Sequence, residues 1–371
     1  MPPPAIPITE IAAGFGLPAA GAHWEPLGNG RIHHTFLAHY PGLGSSARRV
    51  HQRLNLTVFR YPEEVMENLG RVSRHLEAAL PEMPPEERRR RVLTLVVAAD
   101  GRPWFVDSRG EWWRTFHYVE DGVAHERPPG PAWVEAAARA FARFSLALDD
   151  LPPPPLKTTL PGFHDTPRRL VALEQALLRD PMGRAGDAAE LAAVLLARRE
   201  LAALIPRALA AGRLPLRTCH NDTKLNNVLF HGPHPEVLCV VDLDTVMPGT
   251  VLHDFGDLVR STIAGADEDD TATAPLALQM EHFAAAVAGY MDARRGWLDA
   301  TELALMAHGP AAITLELAAR FLTDHVTGDG YFPAPQAGDN LRRARRQYRL
   351  LQALETHHRD LVAVVEREAR S

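Results

Sequence analysis

The chain has 371 residues, 40 of them basic and 46 acidic, a formal net charge of −6, and 46% hydrophobic residues. That balance is ordinary for a globular protein and excludes a dedicated nucleic-acid binder, which would be basic; the length fits two domains or lobes. Of the 40 basic residues only two are lysines, Lys157 and Lys224, so chemistry that needs a lysine has two candidates, and none before residue 157. Cys219 and Cys239 make no disulfide framework and read as buried reduced thiols. The N-terminus lacks the basic and apolar regions of a secretory signal, and no apolar run approaches the length of a membrane span. A cytoplasmic protein with no membrane or nucleic-acid partner is expected; oligomeric state is left open.

In chain order, short β-type runs come first: Trp24–Leu27, a turn at Gly28, Asn29 and Gly30, then Ile32–Ala38, Val50–Leu54, Arg91–Ala98, Pro103–Asp107 and Trp112–Val119. One helix interrupts them. It opens after Tyr61-Pro62, with Val65, Leu69, Val72 and Leu76 on its apolar face. Basic runs around Arg88–Arg91 and Arg342–Arg346 sit in helical patterns and read as solvated faces. Amphipathic helices are expected over about 131–148, 166–179, 187–208, 276–291, 300–325 and 340–368. Two short apolar strands, Asn227–Phe230 and Val237–Val241, interrupt them. The expectation is an α+β, bilobal, protein-kinase-like fold. Residues 1–120 would form a small β-rich N-lobe binding nucleotide, and 121–371 a large, mainly helical C-lobe.

The strongest chemical signal is His220-Asn221-Asp222-Thr223-Lys224-Leu225-Asn226-Asn227, followed by Asp242 at the end of the apolar run Val237–Val241. Phosphoryl transfer needs an acceptor for the attacking hydroxyl's proton, cations against the phosphates, and metal ligands that hold the β- and γ-oxygens in line. Asp222 fits the base and Lys224 the phosphate cation. Asn227 and Asp242 fit a hard cation such as Mg²⁺ through oxygen. His220 reads as a brace for the loop. Two rival chemistries share part of this pattern. Asp242-Leu243-Asp244-Thr245-Val246 also fits the phospho-aspartate motif of haloacid-dehalogenase-type phosphatases, but both lysines precede it, and that reading leaves residues 220–227 unexplained. A metal-dependent glycosyltransferase reading is weaker still.

The pair HNDTKLNN and VVDLDTVMPG resembles the aminoglycoside/choline-kinase-type phosphotransferases, and looks closest to their N-acetylhexosamine 1-kinase branch. Further stretches agree, among them GNGRIHHTF at 28–36, WRTFHYVEDG at 113–122, GFHDTPRR at 162–169 and RFLTDHVTGDGYF at 320–332. The resemblance implies ATP and Mg²⁺ as cofactors, Asp222 as base, and Asn227 and Asp242 as metal ligands, with Asp244 adding a water-mediated contact or orienting the loop. It implies that Asp257 braces the catalytic loop, although a helix-start carboxylate is an equal reading. Gly28, Asn29 and Gly30 resemble the turn over the nucleotide phosphates, or form a plain hairpin turn. Thr115–Asp121, with His117 and Val119, looks like the segment that meets adenine. His33 departs from the family pattern, which has Asn there. No lysine is available for the third strand; Arg53 is the natural substitute, with Glu67 as partner, and a surface arginine is the bland alternative.

The acceptor implied by this branch is the anomeric hydroxyl of an N-acetylhexosamine. Aminoglycoside, choline or homoserine kinases are the alternative acceptor classes, and an ATP-binding module without catalysis a distant one. Arg320 and Asp324, four residues apart on one helix, suit paired hydrogen bonds to sugar hydroxyls, or form an intrahelical ion pair. His34, His164 and Tyr331 are further substrate candidates. The acidic run Asp267–Asp270 reads as a solvated loop.

Overall fold

The computed structural model describes residues 7–28, 32–264, 276–294 and 296–370. Asn29, Gly30 and the acidic run Asp267–Asp270 therefore lie outside the described residues. The chain divides into two compact units, Met1–Gly122 and Val123–Ser371, an α+β arrangement with a small β-rich first unit and a larger helical second one.

Strands β1 (His23–Pro26), β2 (His34–His39), β3 (Arg48–Arg53), β4 (Phe105–Val106) and β5 (Trp112–His117) form an antiparallel sheet in the order β1-β2-β3-β5-β4. Side chains alternate between its faces. On one face His51 is hydrogen-bonded to Tyr40 and Thr115, each at 2.8 Å, and stacked on Trp24 at 4.0 Å. Helix α1 (Ile8–Gly14) supplies Ile11 to this face, where Ile11 and Phe15 pack with Trp113. The opposite face carries Gln52 and Arg114.

Helix α2 (Pro62–Ala78) starts at its proline and buries Val65, Leu69 and Val72 at the anticipated spacing. Two features differ from expectation. Helix α1 was not anticipated: it is seven residues long and has no side-chain N-cap, so it carries little of the signal that marks a helix start. The run Arg91–Ala98 is no regular strand. Its first residue ends helix α3 (Pro85–Arg91), and the rest lies along β5 through one isolated bridge, Leu95 to Phe116.

In the second unit, α4 (Pro131–Leu146), α5 (Thr166–Arg179) and α9 (Met280–Ala293) follow the amphipathic pattern. Three stretches anticipated as single helices are broken. They become α6 (Ala185–Leu196) with α7 (Arg199–Ala210), α10 (Ala300–Leu305) with α11 (Gly309–Thr327), and α12 (Asp339–Thr356) with α13 (His358–Arg370). Apolar spacing persists across each break, so periodicity alone does not show the change of direction. Helix α8 (Val251–Thr262) is buried along almost its whole length. It crosses α11 backbone to backbone: a Cβ on Gly256 would lie 2.6 Å from the Gly309 carbonyl carbon.

Short strands frame the motif. Strand β7 (Arg217–Cys219) pairs with β10 (Met247–Gly249). Strand β8 (Val228–His231) pairs with β9 (Val237–Val240), in a three-stranded sheet with β6 (Gly122–Val123), ordered β6-β8-β9. These two pairings bring the loops 220–227 and 241–246 side by side. No helix among the described residues is long and apolar enough to cross a membrane.

Candidate active site

The loop 220–227 is held at almost every polar group. Asp254 of α8 accepts the backbone N–H groups of His220 (3.0 Å) and Asn221 (2.7 Å), and its own carbonyl accepts from the Thr223 hydroxyl. Asn221 has a left-handed backbone, φ 62°. Its side-chain amide donates to the carbonyls of Cys219, Thr245 and Met247 at 3.0–3.2 Å. His220 donates from Nε2 to the Val241 carbonyl (2.9 Å), and its Nδ1 accepts from the Asp222 N–H (3.3 Å). That pattern fixes a neutral Nε2–H tautomer, and the ring ties the catalytic loop to the strand that ends in Asp242. Bracing by an aspartate of α8 thus occurs, but through Asp254. Asp257, the residue expected in that role, instead accepts from Arg260 at 2.8 Å. Asp254 lies one helical turn earlier, which chain position alone does not distinguish.

Asp222 is the centre of the cluster. Its Oδ2 lies 3.2 Å from Lys224 Nζ and 3.1 Å from Asn227 Nδ2, with 24% of its side chain exposed. Burial works to raise its pKa, yet Lys224, by its charge and its hydrogen bond, together with Arg260 outweighs it and holds the carboxyl below the ordinary aspartate value. It is therefore ionised at neutral pH and can accept a hydrogen bond from an incoming hydroxyl. Asn227 also donates to the Asp222 carbonyl at 2.8 Å. Both amide hydrogens thus go to Asp222, and its carbonyl oxygen is left as its metal-type donor. The Asn227 backbone carbonyl accepts from Val241 at 2.9 Å, which sets Asp242 beside it. Asp242 is left-handed, φ 61°, and Asp244 is buried. Among the described residues no three His, Cys, Asp or Glu side chains form a metal-holding group. Asn227, Asp242 and Asp244 could offer one amide and two carboxylate oxygens, the oxygen-only donor type that Mg²⁺ takes alongside phosphate and water.

A family model described as the phosphotransferase enzyme family matches residues 23–297. The chain belongs to that family. Similar solved structures include a microcompartment-associated aminopropanol kinase, with 18% identity, 95% of this chain and 98% of that chain covered, and a TM-score of 0.64. An aminoglycoside phosphotransferase from Alicyclobacillus acidocaldarius has 17% identity, 97% coverage of each chain and a TM-score of 0.57. A spectinomycin phosphotransferase, solved with ADP and spectinomycin, has 10% identity, 98% coverage of each chain and a TM-score of 0.54. At such identities the likeness is one of fold, that of small-molecule kinases.

Within this phosphotransferase the remaining anticipated residues are placed as follows. Gly28 has φ 69°, a conformation that favours glycine. Arg53 ends β3, opposite Trp113, on the sheet face that α1 covers. It pairs with Glu111 at 3.5 Å. The expected Arg53–Glu67 pair is not formed, and Glu67 is exposed. The buried guanidinium on the other face is Arg114, which donates to Gln52 at 2.9 Å. Strand alternation explains the mismatch: a one-residue step reverses the face. His117 ends β5, and burial together with Arg49 and Arg89 pushes its pKa down to about 3. Val119 is buried, two residues further on.

The anticipated substrate residues separate into three groups. His34 is exposed on β2, in the first unit. In the second unit Arg320 lies 5.3–5.4 Å from the ring centres of Phe163, Tyr331 and Phe332, and donates to the Tyr331 hydroxyl at 3.3 Å. The expected Arg320–Asp324 pair is not formed; Arg320 faces Glu316 at 3.8 Å, one turn in the other direction. Asp324 is buried and accepts the backbone N–H groups of Tyr331 (2.9 Å) and Phe332 (2.7 Å), and the Asn340 amide (3.1 Å). It staples the loop that presents Tyr331. His164 is likewise spent internally, between Glu316 and the Asn221 carbonyl. Sequence reasoning missed Asp254, Glu316 and Arg114, since a lone buried charge in an apolar stretch carries no spacing signal.

Proposed function

We propose that the protein is an Mg²⁺–ATP-dependent small-molecule kinase that phosphorylates the anomeric hydroxyl of an N-acetylhexosamine or related sugar. The kinase reading is carried by one observation: a single ionised carboxylate, Asp222, within 3.2 Å of both Lys224 and Asn227. Asp222 Oδ2 accepts the hydrogen of the acceptor hydroxyl and orients its oxygen for attack. Lys224 faces the transferring phosphoryl oxygens, and His220 with Asp254 keeps the loop from yielding. Asn227, Asp242 and Asp244 are the residues that would hold Mg²⁺, which when bound supplies positive charge against the β- and γ-phosphate oxygens.

The sugar reading is supported by what the second unit offers near this loop. A chain of polar contacts runs from the Asn221 carbonyl through His164 and Glu316 to Arg320 and Tyr331. Glu316, along it, and Asp324, which holds the loop bearing Tyr331, are buried and committed to internal partners. Arg320 and Tyr331 present a guanidinium and a phenol, and these suit hydroxyl and amide groups. A cationic acceptor such as choline, ethanolamine or an aminoglycoside would call for open carboxylates. Purified protein with Mg²⁺, ATP and a panel of N-acetylhexosamines, hexoses, choline, homoserine and kanamycin tests both readings. ADP release dependent on an N-acetylhexosamine is expected. Turnover confined to cationic acceptors would overturn the sugar assignment, and no acceptor-dependent turnover would overturn the kinase assignment.

A further inference from the structure

His164 sits in an environment that a neutral imidazole does not satisfy. Its Nδ1 lies 3.2 Å from Glu316 Oε1, and its Nε2 lies 2.9 Å from the Asn221 carbonyl oxygen. Both neighbours are acceptors. A neutral ring has one N–H, so one nitrogen lone pair would face an oxygen lone pair at hydrogen-bond distance. A protonated Glu316 could donate to a neutral ring, but Glu316 also accepts from the Thr166 hydroxyl at 3.2 Å and faces the Arg320 guanidinium at 3.8 Å. Both favour the carboxylate. The ring with two N–H groups is the one that satisfies every partner.

We propose that His164 is a charged positioning residue: an imidazolium which, anchored on Glu316, holds the Asn221 carbonyl and so fixes the left-handed turn that aims Asp222. The turn needs such a hold. Asn221 is left-handed, a conformation that costs a non-glycine residue energy unless its surroundings over-determine it. Asp254 takes its N–H and three carbonyls take its side-chain amide; His164 takes the carbonyl that immediately precedes Asp222. The groups facing the ring are consistent with a single charge there. From α11 come Glu316 and Arg320, and from α8 come His253, Asp254 and Asp257. Burial opposes the charge on His164, but Glu316, the Asn221 carbonyl and Asp257 prevail and raise its pKa. The His253 ring, 4.7 Å away, is pushed down to about 3 by burial and by the charge on His164, and stays neutral.

The inference rests on Asp222 being the base, so one readout is independent of activity. In wild-type protein labelled with ¹⁵N-histidine, at about pH 8, well above the ordinary histidine value, one ring should show both nitrogens protonated. The second readout is the pH profile of kcat with whichever acceptor is turned over. Turnover should fall on the alkaline side as the imidazolium is lost. In Glu316→Gln that limb should move to lower pH by about one unit or more, with KM for ATP within about twofold of wild type. Only neutral histidines at about pH 8, or superimposable alkaline limbs in wild type and Glu316→Gln, would overturn the proposal. Should the variant fail to fold, the wild-type spectrum decides. An imidazolium with no kinase turnover would count against the proposed activity and leave the charge on His164 standing.

Discussion

Asp222 shows how a single side chain is prepared by its neighbours. It is ionised because Lys224 and Arg260 outweigh its burial, and it is aimed because the backbone N–H, the side-chain NH2 and the carbonyl of the residue before it are all held. Asp222→Asn keeps the shape and removes the charge. It should lower kcat by about 10²–10⁴-fold while the Kd for Mg²⁺–ATP changes by only a few-fold, read by steady-state kinetics and titration calorimetry; retained turnover would exclude Asp222 as base. Arg53 illustrates the opposite case. Its charge is turned to Glu111 and its face belongs to α1, so Arg53→Ala should leave KM for ATP within about twofold, whereas a several-fold rise would return it to the nucleotide. Asp324 is a structural carboxylate with three donors. Its replacement by Ala leaves those donors unpaired in a buried place and should cost about 2–4 kcal/mol in chemical denaturation. A loss within 0.5 kcal/mol, about the scatter of an ordinary surface substitution, would deny it that role.

Among elements, the helices that pack closest are set by glycines. A Cβ on Gly289 of α9 would lie 2.2 Å from the Glu135 carbonyl oxygen of α4, so the two backbones touch. Gly289→Ala must push these helices apart and should destabilise the second unit by about 1–3 kcal/mol, measured as a lower denaturation midpoint; an unchanged midpoint would show that the helices can slide. The elements themselves were unevenly legible. Helices α2, α4 and α5 carry a proline start and a regular apolar stripe, and both features are local. The breaks after Leu196, Leu305 and Thr356 are not local, because the apolar spacing continues through them while the chain changes direction to follow the core. Helix α1 is too short to show a period, and it forms because Ile11 has Trp113 to cover.

For the molecule as a whole, buried histidines shape stability against pH. His51 in the first unit and His253 in the second both have pKa values pushed down to about 3, first by burial. Each stays neutral when folded and becomes protonated when unfolded below about 6.5, so each withdraws stability as pH falls. Between pH 7 and pH 5 the loss is of order 2 kcal/mol for each. His164 acts with the opposite sign. Its raised pKa contributes stability below about 6.5, and that contribution is lost as pH rises through the folded value. Stability should therefore pass through a maximum near neutrality. A denaturation series across pH checks this, and a flat response from pH 7 to pH 5 would contradict the buried, neutral state of His51 and His253.

Read alone, the sequence determined the chemistry that is local in the chain. His220, Asp222, Lys224 and Asn227 lie within eight residues, and Asp242 ends the next apolar run, so a single loop and hairpin assembles them. The alternation of short strands and amphipathic helices likewise gave the α+β division, since each period is a property of one segment. Tertiary structure decided everything that depends on which face of an element a side chain occupies. It turned Arg53 away from Gln52, gave the bracing of the loop to Asp254 in place of Asp257, and split Arg320 from Asp324. It also joined His164 to Glu316, residues far apart in the chain whose pairing no spacing announces. These choices follow from packing, because a charge can be buried only where a partner from another element meets it.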